Sequence, residues 1–214
     1  MDNPTTLLVA IMFVTVLAMA IGNILMVCAE IAGGLRRPMP ERIQLSWIFL
    51  MLFALLSLFW ETTALLEVEQ WLFVEFLYVI AGPMVLLFAT SVITAPASDQ
   101  ESIESHGHYF ELCPRFFIML ALHEVWILGI DYWYATFSTR SLIGAAMLVL
   151  YLILAFSGSL RVHVAGASLI WAGYVLGLVL RTLGTTGTQS MGYGIYQLGD
   201  VQARSWLVIG TSLN

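Results

Sequence analysis

The chain has 214 residues, of which 60% are hydrophobic and 10% are charged, and its mean hydropathy is +0.89. Soluble domains carry about 25% charged residues, so this composition excludes an ordinary soluble domain and predicts a membrane protein. The net charge of −6 argues against nucleic acid as a partner, because proteins that bind it are typically basic.

Six apolar runs are long enough to cross a membrane, since a bilayer core about 30 Å thick needs about 20 mainly apolar residues. A backbone in lipid must satisfy its own hydrogen bonds, so these runs predict helices. The predicted spans are Leu7–Ala29, Leu45–Leu66, Trp71–Ala95, Arg115–Thr136, Leu142–Leu160 and Val162–Leu183. The sequence therefore predicts an all-α integral membrane protein, with a six-transmembrane helical bundle over residues 1–184 and a short irregular C-terminal tail over residues 185–214.

The first span follows a segment without positive charge and is longer than the apolar core of a signal peptide, so we expect a retained helix. Orientation depends on arginine, because the chain has no lysine. Arg36, Arg37 and Arg42 fall in the loop after the first span. Short cytoplasmic loops concentrate positive charge, so we expect this loop inside and the N-terminus outside.

Small residues four apart let helix backbones approach closely, and they indicate either packing within the bundle or homodimerisation. Proline inside a helix removes a backbone donor, so Pro83 predicts a kink in the third span. The small residues stand on the first, fifth and sixth spans: Ala18 with Gly22, Gly144 with Ala145, and Gly173 with Gly177.

His106 and His108 lie in the polar break between the third and fourth spans, close to carboxylates and a cysteine. Imidazole, carboxylate and thiolate are ligands of transition metals. The spacing matches no strong metal motif, so a metal site and a polar amphipathic loop both stay open. We expect the later part of this break to form a short interfacial helix.

His123 and Glu124 are adjacent in the fourth span, and Asp131 follows two turns after Glu124. The His-Glu motif of zinc proteases needs a second histidine four residues after the first, and Ile127 occupies that position. That enzyme class is excluded. His123 either takes part in a proton relay with Glu124 and Asp131 or donates one hydrogen bond to a carbonyl and is structural.

The outer half of the predicted bundle gathers more carboxylates than cations. Glu61, Glu75 and Asp131 come to similar depth, and Arg181 on the sixth span is their intramembrane charge partner. A charge inside the bilayer costs about 2.5 to 3.5 kcal/mol on insertion scales. The cluster is therefore a cavity that handles cations or protons, or Glu61 or Asp131 pairs with Arg181 while Glu75 reaches the interface.

The residues identify no cofactor. A retinal Schiff base needs a lysine, and the chain has none. A bis-histidine haem needs two histidines at similar depth, whereas His123 and His163 differ by roughly 10 Å along their helices. An intramembrane serine protease needs a nucleophile with a base partner, and no serine is placed convincingly near a histidine, so the residues do not indicate an enzyme.

The stretch HYFELCPRFF, from His108 to Phe117, combines His-Tyr-Phe with an arginine and with aromatic residues that open a helix. With Trp47 and Trp60 on the second span and Pro83 on the third, it resembles a group of small bacterial six-span proteins of unassigned function. The resemblance covers roughly Trp47 to Leu160. It implies six spans and a plasma (bacterial inner) membrane, and it implies no site residues.

The sequence therefore predicts a multi-pass membrane protein that handles cations or protons through the carboxylate cluster in the outer half of the bundle. The alternative is a structural or partner-binding subunit without transport, and a further alternative is a membrane enzyme whose motifs are not recognised. The expected surroundings are the lipid bilayer, together with a protein partner or a second copy of the chain.

Overall fold

The computed structural model describes residues 4–35, 40–68, 71–96, 105–133 and 139–182. Within these ranges the chain forms α-helices, one 3₁₀ helix and no strand, which confirms the predicted all-α class. The 3₁₀ helix, Thr62–Glu67, directly follows the second α-helix. The α-helices are α1 (Pro4–Ala32), α2 (Arg42–Glu61), α3 (Phe73–Ile93), α4 (Ser105–Trp133), α5 (Thr139–Phe156) and α6 (Leu160–Thr182).

Five of these helices, α1, α2, α3, α4 and α6, are long and apolar enough to cross a membrane, so the chain is a membrane protein. The apolar part of α5, Ser141–Phe156, is shorter. At 1.5 Å per residue it covers about 24 Å, less than the roughly 30 Å of a bilayer core. The sixth span therefore stays a prediction, and the predicted C-terminal tail lies outside the described residues.

The start of α4 differs from the predicted fourth span, which began at Arg115. The helix begins at Ser105 and continues through Pro114, so the predicted interfacial helix is the first part of α4 rather than a separate element. Tyr109, Leu112 and Cys113 are buried in the bundle. Their packing explains why the helix extends into a segment that reads as a polar loop.

The helices do not pack simply in chain order. The most extensive contacts of α1 are with α3, α4 packs between α3 and α5, and α6 contacts α2 and α5. Polar side chains join helices distant in sequence. Gln44 Nε2 on α2 donates to the carbonyl of Ile93 on α3 at 2.8 Å, and Trp171 Nε1 on α6 donates to Ser46 Oγ on α2 at 3.0 Å.

The small residues of the predicted packing pairs differ in their surroundings. A Cβ added at Gly144 would contact Leu128 of α4 at 3.4 Å, so this glycine packs inside the bundle as predicted. A Cβ at Gly22 or Gly173 would meet no atom of the described residues within 4 Å. Packing within the bundle is therefore supported for Gly144, whereas packing and homodimerisation both stay predictions for Gly22 and Gly173.

Candidate functional site

A cavity of about 50 Å³ lies between five helices of the bundle. One water needs roughly 10 to 15 Å³ of such volume, so the cavity holds a few waters or a small ion and is far below the roughly 300 Å³ of an organic ligand pocket. Its walls come from α2, α3, α4, α5 and α6. The lining residues are Trp47, Leu50, Met51, Ala54, Leu58, Leu86, Leu120, His123, Glu124, Tyr151, Ile170 and Tyr174.

The polar side of this cavity is built around His123 and Glu124 of α4. Both residues line it, and their side chains are 6% and 8% exposed. Tyr151 of α5 and Tyr174 of α6 line the same cavity. One carboxyl, one imidazole and two phenols from three helices thus meet in an otherwise apolar chamber.

His123, which lines the cavity, has one buried ring nitrogen without a partner. This nitrogen, Nδ1, has no hydrogen-bond partner among the described residues, whereas the ring hydrogen-bonds the backbone of Gly82 on α3. That bond therefore runs through Nε2. Because a backbone carbonyl can only accept, Nε2 carries the proton and Nδ1 carries a lone pair.

A clasp between α3 and α4, formed by Tyr78 and Trp126, fixes the orientation of the His123 ring. The ring of His123 stacks on that of Trp126, with centroids 5.2 Å apart and planes at 24°. Trp126 Nε1 donates to the carbonyl of Tyr78 at 2.6 Å, and Tyr78 Oη donates to the carbonyl of Trp126 at 2.9 Å. Gly82 leaves room for the indole, since a Cβ there would lie 2.5 Å from it.

Glu124 lies against a glycine of the neighbouring helix. One of its carboxyl oxygens, Oε2, would be 3.5 Å from a Cβ added at Gly144 of α5. Gly144 therefore leaves space for the carboxyl group between α4 and α5. Gly144, which the sequence predicts to be a packing residue, therefore also borders the carboxyl group of the cavity.

Two carboxylates of the predicted outer cluster, Glu75 and Asp131, have identifiable local contacts. Glu75 Oε2 accepts the backbone N–H of Leu72 at 3.0 Å, so it caps the start of α3. Asp131 is 2% exposed. Its Oδ2 accepts a hydrogen bond from Ser141 Oγ at 2.6 Å, which joins the end of α4 to the start of α5. These contacts stabilise helix ends and helix packing.

Glu61 and Arg181 are the other two members of the predicted outer cluster. Their backbones belong to the last turns of α2 and α6, and their side chains lie outside the described part of the structure. Pairing of Arg181 with Glu61 or Asp131 therefore stays a prediction. The contacts of Glu75 and Asp131 explain each of them without a shared outer cavity.

The predicted metal loop falls partly outside the described residues. The side chain of His106 is not among them, while His108 Nε2 donates to the carbonyl of Ala95 at 3.3 Å. In the part of the chain that the structure describes, no three metal-binding side chains come together. A metal site at His106 and His108 stays a prediction without support from these contacts.

A second buried polar group, which the sequence did not indicate, centres on His163 of α6. His163 Nε2 donates a hydrogen bond to the carbonyl of Ser157 at 2.9 Å, so Nε2 carries the ring proton. Nδ1 therefore accepts a hydrogen bond from Tyr109 Oη, also at 2.9 Å. Cys113 Sγ lies 4.0 Å from the same Nδ1. Because the phenol occupies the lone pair that a base would use, this group ties α6 to α4 and does not activate the thiol.

Comparison of the chain with family models, with curated proteins and with solved structures finds no match. The assignment of a site therefore depends on the geometry of the cavity alone.

Proposed function

We propose that this membrane protein handles protons or small monovalent cations through the cavity that His123 and Glu124 line. The observation that carries the proposal is a buried carboxyl group beside a buried histidine whose Nδ1 has no partner, at a cavity large enough for water or an ion. Ionisable residues inside membrane-spanning helices commonly mark ion pathways and proton relays.

The lining of the cavity supports a positively charged ligand. Among the described residues that line it, Glu124 is the carboxylate and none is arginine. Transfer of a charge into the bilayer interior is unfavourable by about 2.5 to 3.5 kcal/mol on insertion scales. A proton or a cation at Glu124 removes this penalty, whereas an anion increases it.

The contacts of the outer carboxylates favour the second function, a structural or partner-binding subunit. Glu75 caps α3 and Asp131 accepts a hydrogen bond from Ser141, so both have a role without transport. Under this alternative, His123 and Glu124 hold trapped water and only stabilise the bundle. Transport measurements separate the two functions, because a purely structural cavity carries no flux.

The setting we propose is a bacterial inner membrane, crossed several times, with the N-terminus outside. Five helices of sufficient length and hydropathy are compatible with several crossings, and the arginines after α1 favour that loop inside. Protease accessibility of a tag at each end, in intact cells and in inverted vesicles, tests this orientation.

The test of the proposed function is flux in proteoliposomes. Proton uptake and monovalent-cation flux are measured for the native protein, for Glu124→Gln and for His123→Phe. Glu111→Gln is the matched control, because Glu111 is exposed on the same helix. We expect flux from the native protein and from Glu111→Gln, and a loss of at least tenfold in Glu124→Gln. No flux from folded native protein contradicts the proposal.

A further inference from the structure

We infer that the first half of α3 and the longer part of α4 move as one unit about hinges at Pro83 and Pro114, and so give ions access to the cavity. This clasped unit consists of residues 73–82 of α3 and residues 115–133 of α4. The inference rests on the proposed function, since it states how the proposed site is reached. It depends on the clasp, on the two prolines and on the anchors of both helices beyond them.

The clasp fastens the two segments of the unit to each other. Tyr78 and Trp126 exchange two hydrogen bonds between side chain and backbone, of 2.9 and 2.6 Å. His123 of α4 also bonds the backbone of Gly82 on α3. Gly129 leaves room for the clasp, since a Cβ there would collide with the hydroxyl of Tyr78. Because these contacts join the two segments, a bend in one helix has to move the other.

Each of the two clasped helices contains a proline. Pro83 lies in the middle of α3, and Pro114 lies in the first half of α4. Neither residue has a backbone N–H, so the carbonyls of Val79 and Phe110, four residues earlier, lose their helical donors. Sharp kinks of helices occur at prolines for this reason. The two helices therefore bend most easily at these residues.

The parts of α3 and α4 beyond the prolines are anchored to other helices. At the end of α3, the carbonyl of Ile93 accepts a hydrogen bond from Gln44 Nε2 of α2 at 2.8 Å. At the start of α4, Tyr109 Oη donates to His163 Nδ1 of α6 at 2.9 Å. In both helices the proline thus lies between the clasp and the anchor. A hinge needs this arrangement, with a flexible point between two held segments.

The cavity lies along the boundary between the clasped unit and the anchored helices. His123 and Glu124 belong to the clasped unit, whereas most of the facing wall comes from α2 and α6. A hydrogen bond of 3.0 Å from Trp171 Nε1 to Ser46 Oγ joins α6 to α2. Apolar contact is not directional, so the α2 wall lets the clasped unit shift. That wall consists of Trp47, Leu50, Met51, Ala54 and Leu58.

The depth of the cavity makes a movement of helices necessary for exchange. Met51 and Ile170 line it, and they lie near the middle of the spans Arg42–Trp60 and Leu160–Gly177. An ion that reaches the cavity therefore crosses about half of a bilayer core, or roughly 15 Å. Transporters commonly open sites near the bilayer midplane by rocking one group of helices against another. We expect the clasped unit to swing away from α2 in this way.

The experiment measures distances between two spin labels by double electron–electron resonance on full-length protein in lipid nanodiscs. Cys28 and Cys113 are first replaced by alanine, so that labels attach only to introduced cysteines. Val74→Cys labels the clasped unit and Leu176→Cys labels α6, and both side chains are exposed. We expect two distance populations for this pair. Leu8→Cys with Leu176→Cys is the control pair on the anchored helices α1 and α6, and it should give one population.

A substitution at the hinge connects the movement to flux. Pro83→Ala restores a backbone donor in α3, so the unfolding temperature should stay the same or rise. We expect this variant to show one distance population and to lose flux at least tenfold. Pro40→Ala is the control, because Pro40 precedes α2 and lies outside the helices. A proline with a purely structural role would not lower flux at unchanged stability.

The outcomes separate the movement from the proposed function. A single narrow distance population for the Val74→Cys and Leu176→Cys pair overturns the inference, even if Pro83→Ala fails to fold. A single population together with cation or proton flux overturns the inference alone and leaves the proposed function intact. Two populations without any flux support the movement and contradict the proposed function.

Discussion

Tyr78 and Trp126 each donate a side-chain hydrogen bond to the backbone carbonyl of the other, and the two rings stack with centroids 6.3 Å apart. This reciprocal pair joins α3 to α4. Because His123 stacks on the same indole, the pair also fixes the histidine of the cavity. Helix packing and the candidate site thus depend on the same contact.

Substitution of Gly82 by alanine should disrupt this clasp. The new Cβ would lie 2.5 to 2.6 Å from three ring atoms of Trp126, so the indole has to move. Overpacking of this kind costs about 1 to 3 kcal/mol. We expect a lower midpoint in detergent-induced unfolding. Gly173→Ala is the control, because a Cβ there would meet no described atom within 4 Å, and an equal effect of both substitutions would contradict the clasp.

Tyr78→Phe removes the donor of one hydrogen bond and keeps the ring. Hydrogen bonds between membrane helices contribute about 0.6 kcal/mol on average and up to about 1.7 kcal/mol. We expect a free energy of unfolding lower by an amount in that range, measured by reversible unfolding in mixed micelles. A variant as stable as the native protein would show that the bond to the Trp126 carbonyl contributes nothing.

Ser141→Ala removes the hydroxyl that donates to Asp131 at 2.6 Å. We expect destabilisation of about 1 to 2 kcal/mol, since a buried carboxylate loses a donor. Flux per folded molecule should stay unchanged. Thr15→Ala is the matched control, because Thr15 is exposed and bonds only within its own helix. Loss of flux in Ser141→Ala at native stability would instead place Asp131 in the transport pathway.

Tyr109→Phe leaves the buried Nδ1 of His163 without its donor. An unsatisfied buried polar group costs about 1 to 3 kcal/mol, and this hydrogen bond joins α6 to α4. We expect a lower thermal unfolding temperature and faster hydrogen exchange at the start of α6. Unchanged exchange in α6 would contradict the role of this group as a tie between α4 and α6.

The helices could be predicted from sequence because their apolar runs match a physical length, the thickness of a bilayer. The boundary of α4 could not, because Tyr109, Leu112 and Cys113 are drawn into the helix by contacts with other helices. The extensive packing of α1 on α3 is likewise a tertiary property. A short connection brings two consecutive helices close together. It does not show whether either helix packs more extensively on a third helix, as α1 does on α3.

The candidate site could be predicted in part. Polar residues in an apolar span stand out, so His123 and Glu124 were recognised, whereas Tyr151 and Tyr174 look like ordinary aromatic residues of membrane helices. The interpretation of Asp131 as a relay member missed Ser141, because the hydrogen bond between them forms across a helix connection. The predicted depth of Glu75 and Asp131 in the membrane suggested that they are neighbours. It could not predict that each of them accepts a local hydrogen bond instead.

Two carboxyl substitutions, Glu124→Gln and Asp131→Asn, compared in one proteoliposome assay of proton and monovalent-cation flux, show whether the ion pathway runs through the cavity. Each variant is reconstituted at equal density and checked for folding by circular dichroism and gel filtration. If the cavity is the pathway, Glu124→Gln loses flux and Asp131→Asn retains it per folded molecule. Flux at the native level from Glu124→Gln, together with loss of flux in Asp131→Asn, would show that the pathway runs through the predicted outer carboxylates instead.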